Sequence, residues 1–168
     1  MLIVACLLSG AARAVSTTKV PKCVPSATNP MQAAACLTIN TLHQTWYNPL
    51  SASLSNTQFW GSGVALQATI DFTERFNDLT FVPLIDAVMK VHSKDLIELK
   101  GVGSYDDMQW WALAYINAGR LLNDTAKVEE GRGIFDHVIA QALDNTTCGG
   151  GVFWAHDKTG FHYKNAIT

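Results

Sequence analysis

From residue 31 onward, apolar residues recur along this chain with a helical rather than a strand period. Between 31 and 47, Ala34, Leu37, Thr41 and Leu42 share one face, and Asn48-Pro49 closes the segment, because proline cannot continue a helix and restricts the residue before it. A second helix is predicted over 62–77. Its apolar residues lie on more than one side, Val64, Ala68 and Phe72 on one and Leu66 and Ile70 on another, as in a helix surrounded by protein. Residues 80–95 differ, since Phe81, Leu84, Ile85, Val88 and Val91 make a single stripe with charges opposite. Residues 105–122 are again apolar around much of the circumference, through Trp110, Trp111, Leu113, Ala114, Ile116 and Leu121. Residues 125–143 return to one stripe of Ile134, Phe135, Val138, Ala142 and Leu143.

Buried and half-exposed helices therefore alternate, with Gly, Asn and Asp at the joins, and no strand pattern of comparable strength competes. The expected fold is all-α. The alternation predicts two concentric layers of helical hairpins, each with one inner and one outer member, while periodicity alone leaves a plain helical bundle open. Ahead of the helices, residues 15–30 are rich in Ser, Thr and Pro (Pro21, Pro25, Pro30) and read as an extended lead-in. Leu2 to Leu8 is a compact apolar run, and Ala12-Arg13-Ala14 has the small-x-small form of a cleavage site, so residues 1–14 are expected to be an export signal. Ile3-Val4-Ala5-Cys6 also has the form of a lipoprotein box, but a usable one needs a charged stretch in front of it.

Composition narrows the partners. The 168 residues suffice for one domain with a core, and 48% apolar against 15% charged residues argues against disorder. A net charge of −2 without any basic stripe makes nucleic acid an unsuitable partner, since phosphate binding requires clustered Lys and Arg. No apolar run reaches the roughly 20 residues that span a bilayer. Without the signal, Cys23, Cys36 and Cys148 remain, an odd number for an exported protein: either one thiol is free or one partner is missing. Asn123-Asp124-Thr125 and Asn145-Thr146-Thr147 are glycosylation sequons, which makes Asn123 and Asn145 candidate acceptors in a eukaryotic source.

The chemistry concentrates in Tyr105-Asp106-Asp107-Met108-Gln109-Trp110-Trp111. Residues four apart share a helix face, so Asp106 stands over Trp110 and Asp107 over Trp111. Carboxylates beside aromatic platforms suit a site that holds a sugar ring and cleaves its glycosidic bond. A structural reading accounts for the same residues: Ser104 three positions before Asp107 has capping-box spacing, acidic residues in a first turn complement the helix dipole, and both tryptophans fit a core. Further on, Cys148-Gly149-Gly150-Gly151-Val152-Phe153-Trp154 sets aromatic surface directly after three glycines. Such a run is costly to order unless the backbone approaches something closely or takes positive φ, and a flexible turn followed by a core tryptophan is the alternative. Tyr163-Lys164-Asn165-Ala166 then opens a predicted sixth helix.

The paired aspartates with paired tryptophans, the glycine-aromatic loop and the final Tyr-Lys-Asn-Ala-Ile-Thr together resemble glycoside hydrolase family 76, the α-1,6-mannanases. The resemblance covers about 60–168, with Phe59-Trp60-Gly61 at the head of the second helix also fitting. It implies an (α/α)6 toroid whose inner-helix N-termini ring the substrate cleft, and a retaining mechanism. By that resemblance Asp106 is the nucleophile, and Asp107 is the general acid that later acts as base. The residues are compatible with it. Neighbouring side chains on a helix diverge, and a retaining pair needs carboxyl groups about 5–5.5 Å apart. Helix-start amides favour an ionised Asp106, while that charge and partial burial are expected to raise the pKa of Asp107.

Trp60, Tyr105, Trp110 and Trp154 are candidate substrate-binding residues, each also compatible with a core position. Lys164 and Asn165 are candidate donors to sugar hydroxyls, against the alternative of solvated helix-start residues. No cofactor is called for. The five histidines lack metal-binding companions, and Cys148, His156 and His162 do not make the four-ligand set of a structural zinc. The resemblance further implies that 31–168 is a truncated catalytic domain, about the first half of the ring of hairpins, expected to have little or no turnover alone. It implies a secreted or wall-associated protein acting on mannan or another mannose-containing polysaccharide, associated with membrane or wall where a C-terminal anchor exists in the full-length protein. Cell-wall transglycosylation and non-catalytic carbohydrate binding are the alternative functions.

Overall fold

The computed structural model describes residues 19–54, 59–98, 104–146, 150–156 and 158. The expected signal over 1–14, Cys6, Cys148, His162, Lys164, Asn165 and the predicted sixth helix lie outside the described residues. The described residues form five α-helices and two minimal hairpins: α1 (Pro30–Trp46), β1 (Tyr47–Asn48), β2 (Ser53–Leu54), α2 (Phe59–Phe76), α3 (Val82–Glu98), α4 (Tyr105–Leu122), α5 (Thr125–Ala142), β3 (Leu143–Asp144) and β4 (Gly151–Val152). A single 3-10 turn, Leu79–Phe81, leads into α3.

The start of α1 has a clear local cause. Asn29 accepts the backbone N–H of Gln32 at 3.0 Å and Pro30 occupies the first helical position, where its missing N–H costs nothing. Cys36, Ile39 and His43, spaced three and four apart, turn inward. The extended lead-in is tied to this helix by the Cys23–Cys36 disulfide. Asn40 adds a second tie, its side chain bonding the backbone N–H and C=O of Cys23 at 3.1 and 3.0 Å.

The buried members are α2 and α4. On α2, Leu66, Thr69, Ile70, Phe72 and Thr73 are enclosed, and the two threonine hydroxyls donate to carbonyls one turn back, at 2.8 and 2.9 Å. These bonds remove the desolvation cost that a buried hydroxyl otherwise carries. Of the expected 80–95 stripe, Phe81 of the 3-10 turn and Leu84, Ile85 and Val88 of α3 are buried with Met89, whereas Val91 is 42% exposed, and Asp86 and Lys90 pair at 2.7 Å on the wet side. From α4, Tyr115 reaches across to donate to the Met89 carbonyl at 2.8 Å.

Two close approaches set how α4 lies. Against α2, the Trp111 ring packs over Gly63, where a Cβ would stand 3.3 Å from the indole, and Trp111 Nε1–H donates to the Phe59 carbonyl at 2.9 Å. That bond holds the first turn of α2, so the helix begins at Phe59 rather than at the predicted residue 62. Against α5, a Cβ on Gly131 would lie 2.7 Å from Ile116 Cγ1 and 2.8 Å from the Ala112 carbonyl oxygen. The α4–α5 turn is short: Asn123 takes a left-handed conformation (φ 53°) and Asp124 caps α5 through the N–H groups of Ala126 and Lys127. The half-exposed α3 and α5 flank α4, which agrees with the expected alternation of inner and outer helices.

Candidate active site

The site is built at the N-terminus of α4, and the segment after α5 completes it. β3 and β4 pair antiparallel, Leu143 with Val152 and Asp144 with Gly151, which folds the chain back toward the start of α4. Gly150 adopts φ +119° at this turn, a conformation open to glycine and not to other residues. Beyond it, Phe153 N–H donates to the Ala142 carbonyl at 2.9 Å, and the Trp154 carbonyl accepts the Tyr105 N–H at 2.7 Å. A bridge between Ser104 and Ala155 extends the same pairing. The glycine run thus permits a backbone path that lays an aromatic segment along a helix N-terminus.

Trp60, Ser104, Asp106, Asp107, Trp110 and Trp154 line one cleft of about 330 Å³. The indoles of Trp60 and Trp154 remain 42% and 38% exposed, enough to present a flat apolar face to a ligand. Trp60 comes from the first turn of α2, Trp110 from one turn into α4 and Trp154 from the returning segment, so three separate elements surround the two acids. A larger depression of about 690 Å³ lies between α1 and α2, bordered by Ile39, Ala68, Phe72 and Phe76. It has no tryptophan, and its carboxylates, Asp71 and Glu74, stand beside Arg75 on the same lining.

The two aspartates are both half-buried but differ in surroundings. Asp106 Oδ1 is shielded from solvent and has no hydrogen-bond partner among the described residues, an arrangement that costs free energy until a ligand or water supplies a donor. Desolvation raises the pKa of the Asp107 carboxyl, a hydrogen bond from the Ser104 side chain opposes that rise, and the Asp106 charge adds to it. A raised carboxyl holds its proton further toward neutral pH, as a general acid requires.

Ser104 departs from the capping-box expectation. Its side chain makes no capping bond to a backbone N–H but turns to the Asp107 carboxyl, so the three-residue spacing serves the acid rather than the helix end. Tyr105, a candidate for the sugar and equally for a core position, is 1% exposed and does not line this cleft, and its ring lies against His156 with centroids 4.2 Å apart. Trp111 likewise is fully buried, between Phe59, His92 and Gly63. Asn123 and Asn145 are both exposed. Among the described residues no group of three or more His, Cys, Asp and Glu is arranged to hold a metal. Sequence reading missed Ser104 as a partner of the acid and missed His137 and His156 beneath Tyr105; for the histidines no spacing signal exists.

The sequence profile of Glycosyl hydrolase family 76 matches residues 26–168. No curated protein matches the chain. Among solved structures, the Lin0763 protein from Listeria innocua superposes with a TM-score of 0.65 at 17% identity, over 80% of this chain and 42% of its own. The GH76A α-1,6-mannanase from Salegentibacter sp. HEL1_6 superposes with a TM-score of 0.61 at 19% identity, over 75% of this chain and 39% of its own. The chain therefore spans about two-fifths of the length of either structure. The likeness establishes the fold, and the all-α partial toroid implied by the family resemblance, with which the helix alternation agrees, is the one observed.

Proposed function

Because the chain belongs to glycosyl hydrolase family 76, we propose that it carries the acid pair of a retaining endo-glycosidase acting on α-1,6-mannosidic linkages in mannan or cell-wall glycan. The observation that carries this reading is the gathering of Asp106, Asp107 and three tryptophans around one cleft. In the proposed reaction, a mannose ring stacks on the indole faces. Asp106 attacks the anomeric carbon while Asp107 gives its proton to the departing glycosidic oxygen. The bond broken is C1–O and the bond formed joins C1 to the Asp106 carboxylate. Asp107, now a carboxylate, takes a proton from water, whose oxygen displaces Asp106 and regenerates both acids. The orphaned Asp106 oxygen and the raised Asp107 carboxyl support this division of labour.

Mannan as substrate is supported by the fold shared with the Salegentibacter protein, itself an α-1,6-mannanase. An exported, glycosylated protein is supported by the Cys23–Cys36 disulfide, since such bonds persist in oxidising compartments, and by the exposure of Asn123 and Asn145. The test is incubation of the purified chain with α-1,6-mannan, following reducing ends and the anomeric configuration of the first product. Weak turnover with retained configuration, abolished in Asp106→Asn, is expected. Transfer to an added acceptor sugar in place of water would assign transglycosylation. Retention on mannan unchanged in the Asp106/Asp107 double substitution, with no turnover by the parent, would assign a binding role and refute the enzymatic one.

A further inference from the structure

Tyr105 is buried and does not line the cleft, and the ring packed against it is titratable. It directly precedes Asp106 and is held at two points by one segment of chain. Its N–H donates to the Trp154 carbonyl at 2.7 Å, and its ring rests on His156, centroids 4.2 Å apart and planes at 48°. His156 in turn lies near His137 of α5, centroids 6.4 Å apart. The rings His137, His156 and Tyr105 thus run from α5 to the first residue of α4. The Nε2 atoms of both histidines are buried and have no hydrogen-bond partner among the described residues.

We propose that His156 is a positioning residue for the acid pair, and that its protonation releases the segment carrying Trp154 from the N-terminus of α4. The inference rests on the glycosidase reading for its consequence, though not for its geometry. Among the described residues, the groups set against His156 are the Tyr105 ring from α4, His137 from α5 and Lys158 from its own segment, and none of these is a carboxylate. A proton on His156 therefore stands in a desolvated place beside a second imidazole and an ammonium, and these three influences push its pKa below the ordinary histidine value. The Tyr105 face attracts a cation, but that attraction is set against lost hydration and two like charges. The neutral ring packs, and the charged ring moves to water. Trp154 is two residues away and hydrogen-bonded to Tyr105, so the Trp154 wall of the cleft and the start of α4 are disturbed together.

The experiment follows tryptophan fluorescence and the imidazole proton resonances of the full chain from pH 8 to pH 4.5, with no substrate present. The parent is expected to show a fluorescence step below about pH 6.5, coincident with the His156 titration. His156→Phe keeps a ring against Tyr105 and cannot be charged, so it should lose the step. His137→Gln removes a like charge and should move the His156 midpoint upward. An identical fluorescence curve in parent and His156→Phe, or a His156 midpoint unmoved by His137→Gln, overturns the proposal. If His156→Phe does not fold, the midpoint shift decides alone. Mannan cleavage provides a separate readout, in which the acid limb of the parent's pH profile should move to lower pH in His156→Phe. A chain that cleaves nothing still gives the fluorescence and resonance result, so failure of the glycosidase reading and failure of this one are distinguishable.

Discussion

His43 should make α1 sensitive to acid, by an amount that can be worked out. The residue is fully buried on α1, stacked on Phe81 with centroids 5.0 Å apart and edge-on to Tyr47 at 6.1 Å. Its Nε2 lies 3.0 Å from Thr69 Oγ1, and that hydroxyl already donates to the Ala65 carbonyl at 2.8 Å. The hydroxyl proton is committed, so Nε2–H is the donor and Nδ1 carries the lone pair. Nδ1 is buried without a partner among the described residues, and a proton added there would have no acceptor. Burial accordingly lowers the His43 pKa from 6.5 to about 4. The unfolded chain binds this proton first, so the folded state is penalised as pH falls from 6.5 toward 4. Linkage makes the penalty about 2 kcal/mol at pH 5 and about 3 kcal/mol at pH 4, with none above pH 7.5. His43→Gln keeps an N–H donor for Thr69 and removes the titration, at a cost of about 1 kcal/mol at pH 8 from lost ring contact. Urea midpoints measured from pH 8 to pH 4.5 should therefore converge and then cross, the parent losing its advantage at about pH 5.9. Parallel curves, with the same loss in both proteins, would refute the assignment of this acid sensitivity to His43.

Three further outcomes follow from the same geometry. Ser104→Ala removes the hydrogen bond that holds the Asp107 pKa down, so the alkaline limb of a mannan-cleavage profile, where the acid form of Asp107 is lost, should move to higher pH; a limb that moves down or stays would contradict the Ser104 role. Gly131→Ala places a methyl group 2.7 Å from Ile116 Cγ1 and 2.8 Å from the Ala112 carbonyl. Forcing α4 and α5 apart should cost about 1–3 kcal/mol, and an unshifted urea midpoint would show that the helices do not approach as described. Replacing Cys23 and Cys36 by serine opens a bridge between residues 13 apart in sequence. The loss should be about 3 kcal/mol in the chain-entropy account, checked by the midpoint difference between the double variant and the oxidised parent.

The helix content was legible because it depends on short-range pattern. The 105–122 helix was read to its observed limits, since its apolar period is carried by the residues themselves and Asn123 after it is a local stop residue in a left-handed conformation. Where the sequence misjudged α2, the cause was long-range: Trp111, 52 positions away, bonds the Phe59 carbonyl and holds a first turn whose glycines argue against a helix. The acid pair and the tryptophans were visible as residue types, and the family was visible in their combination. Which rings face the cleft was not. Trp110 and Trp111 are neighbours with the same chemistry, yet one lines the cleft and the other is wholly buried, because adjacent helix side chains diverge and Gly63 admits the Trp111 ring against α2. Tyr105 is buried against His156, a residue 51 positions later in the chain. Period and composition act over one or two turns, so the sequence alone determined the helices, their alternation and the chemistry available. The tertiary structure decided which groups are desolvated, which bond to which and which remain open to a ligand, because those depend on surfaces that meet only after the helices pack.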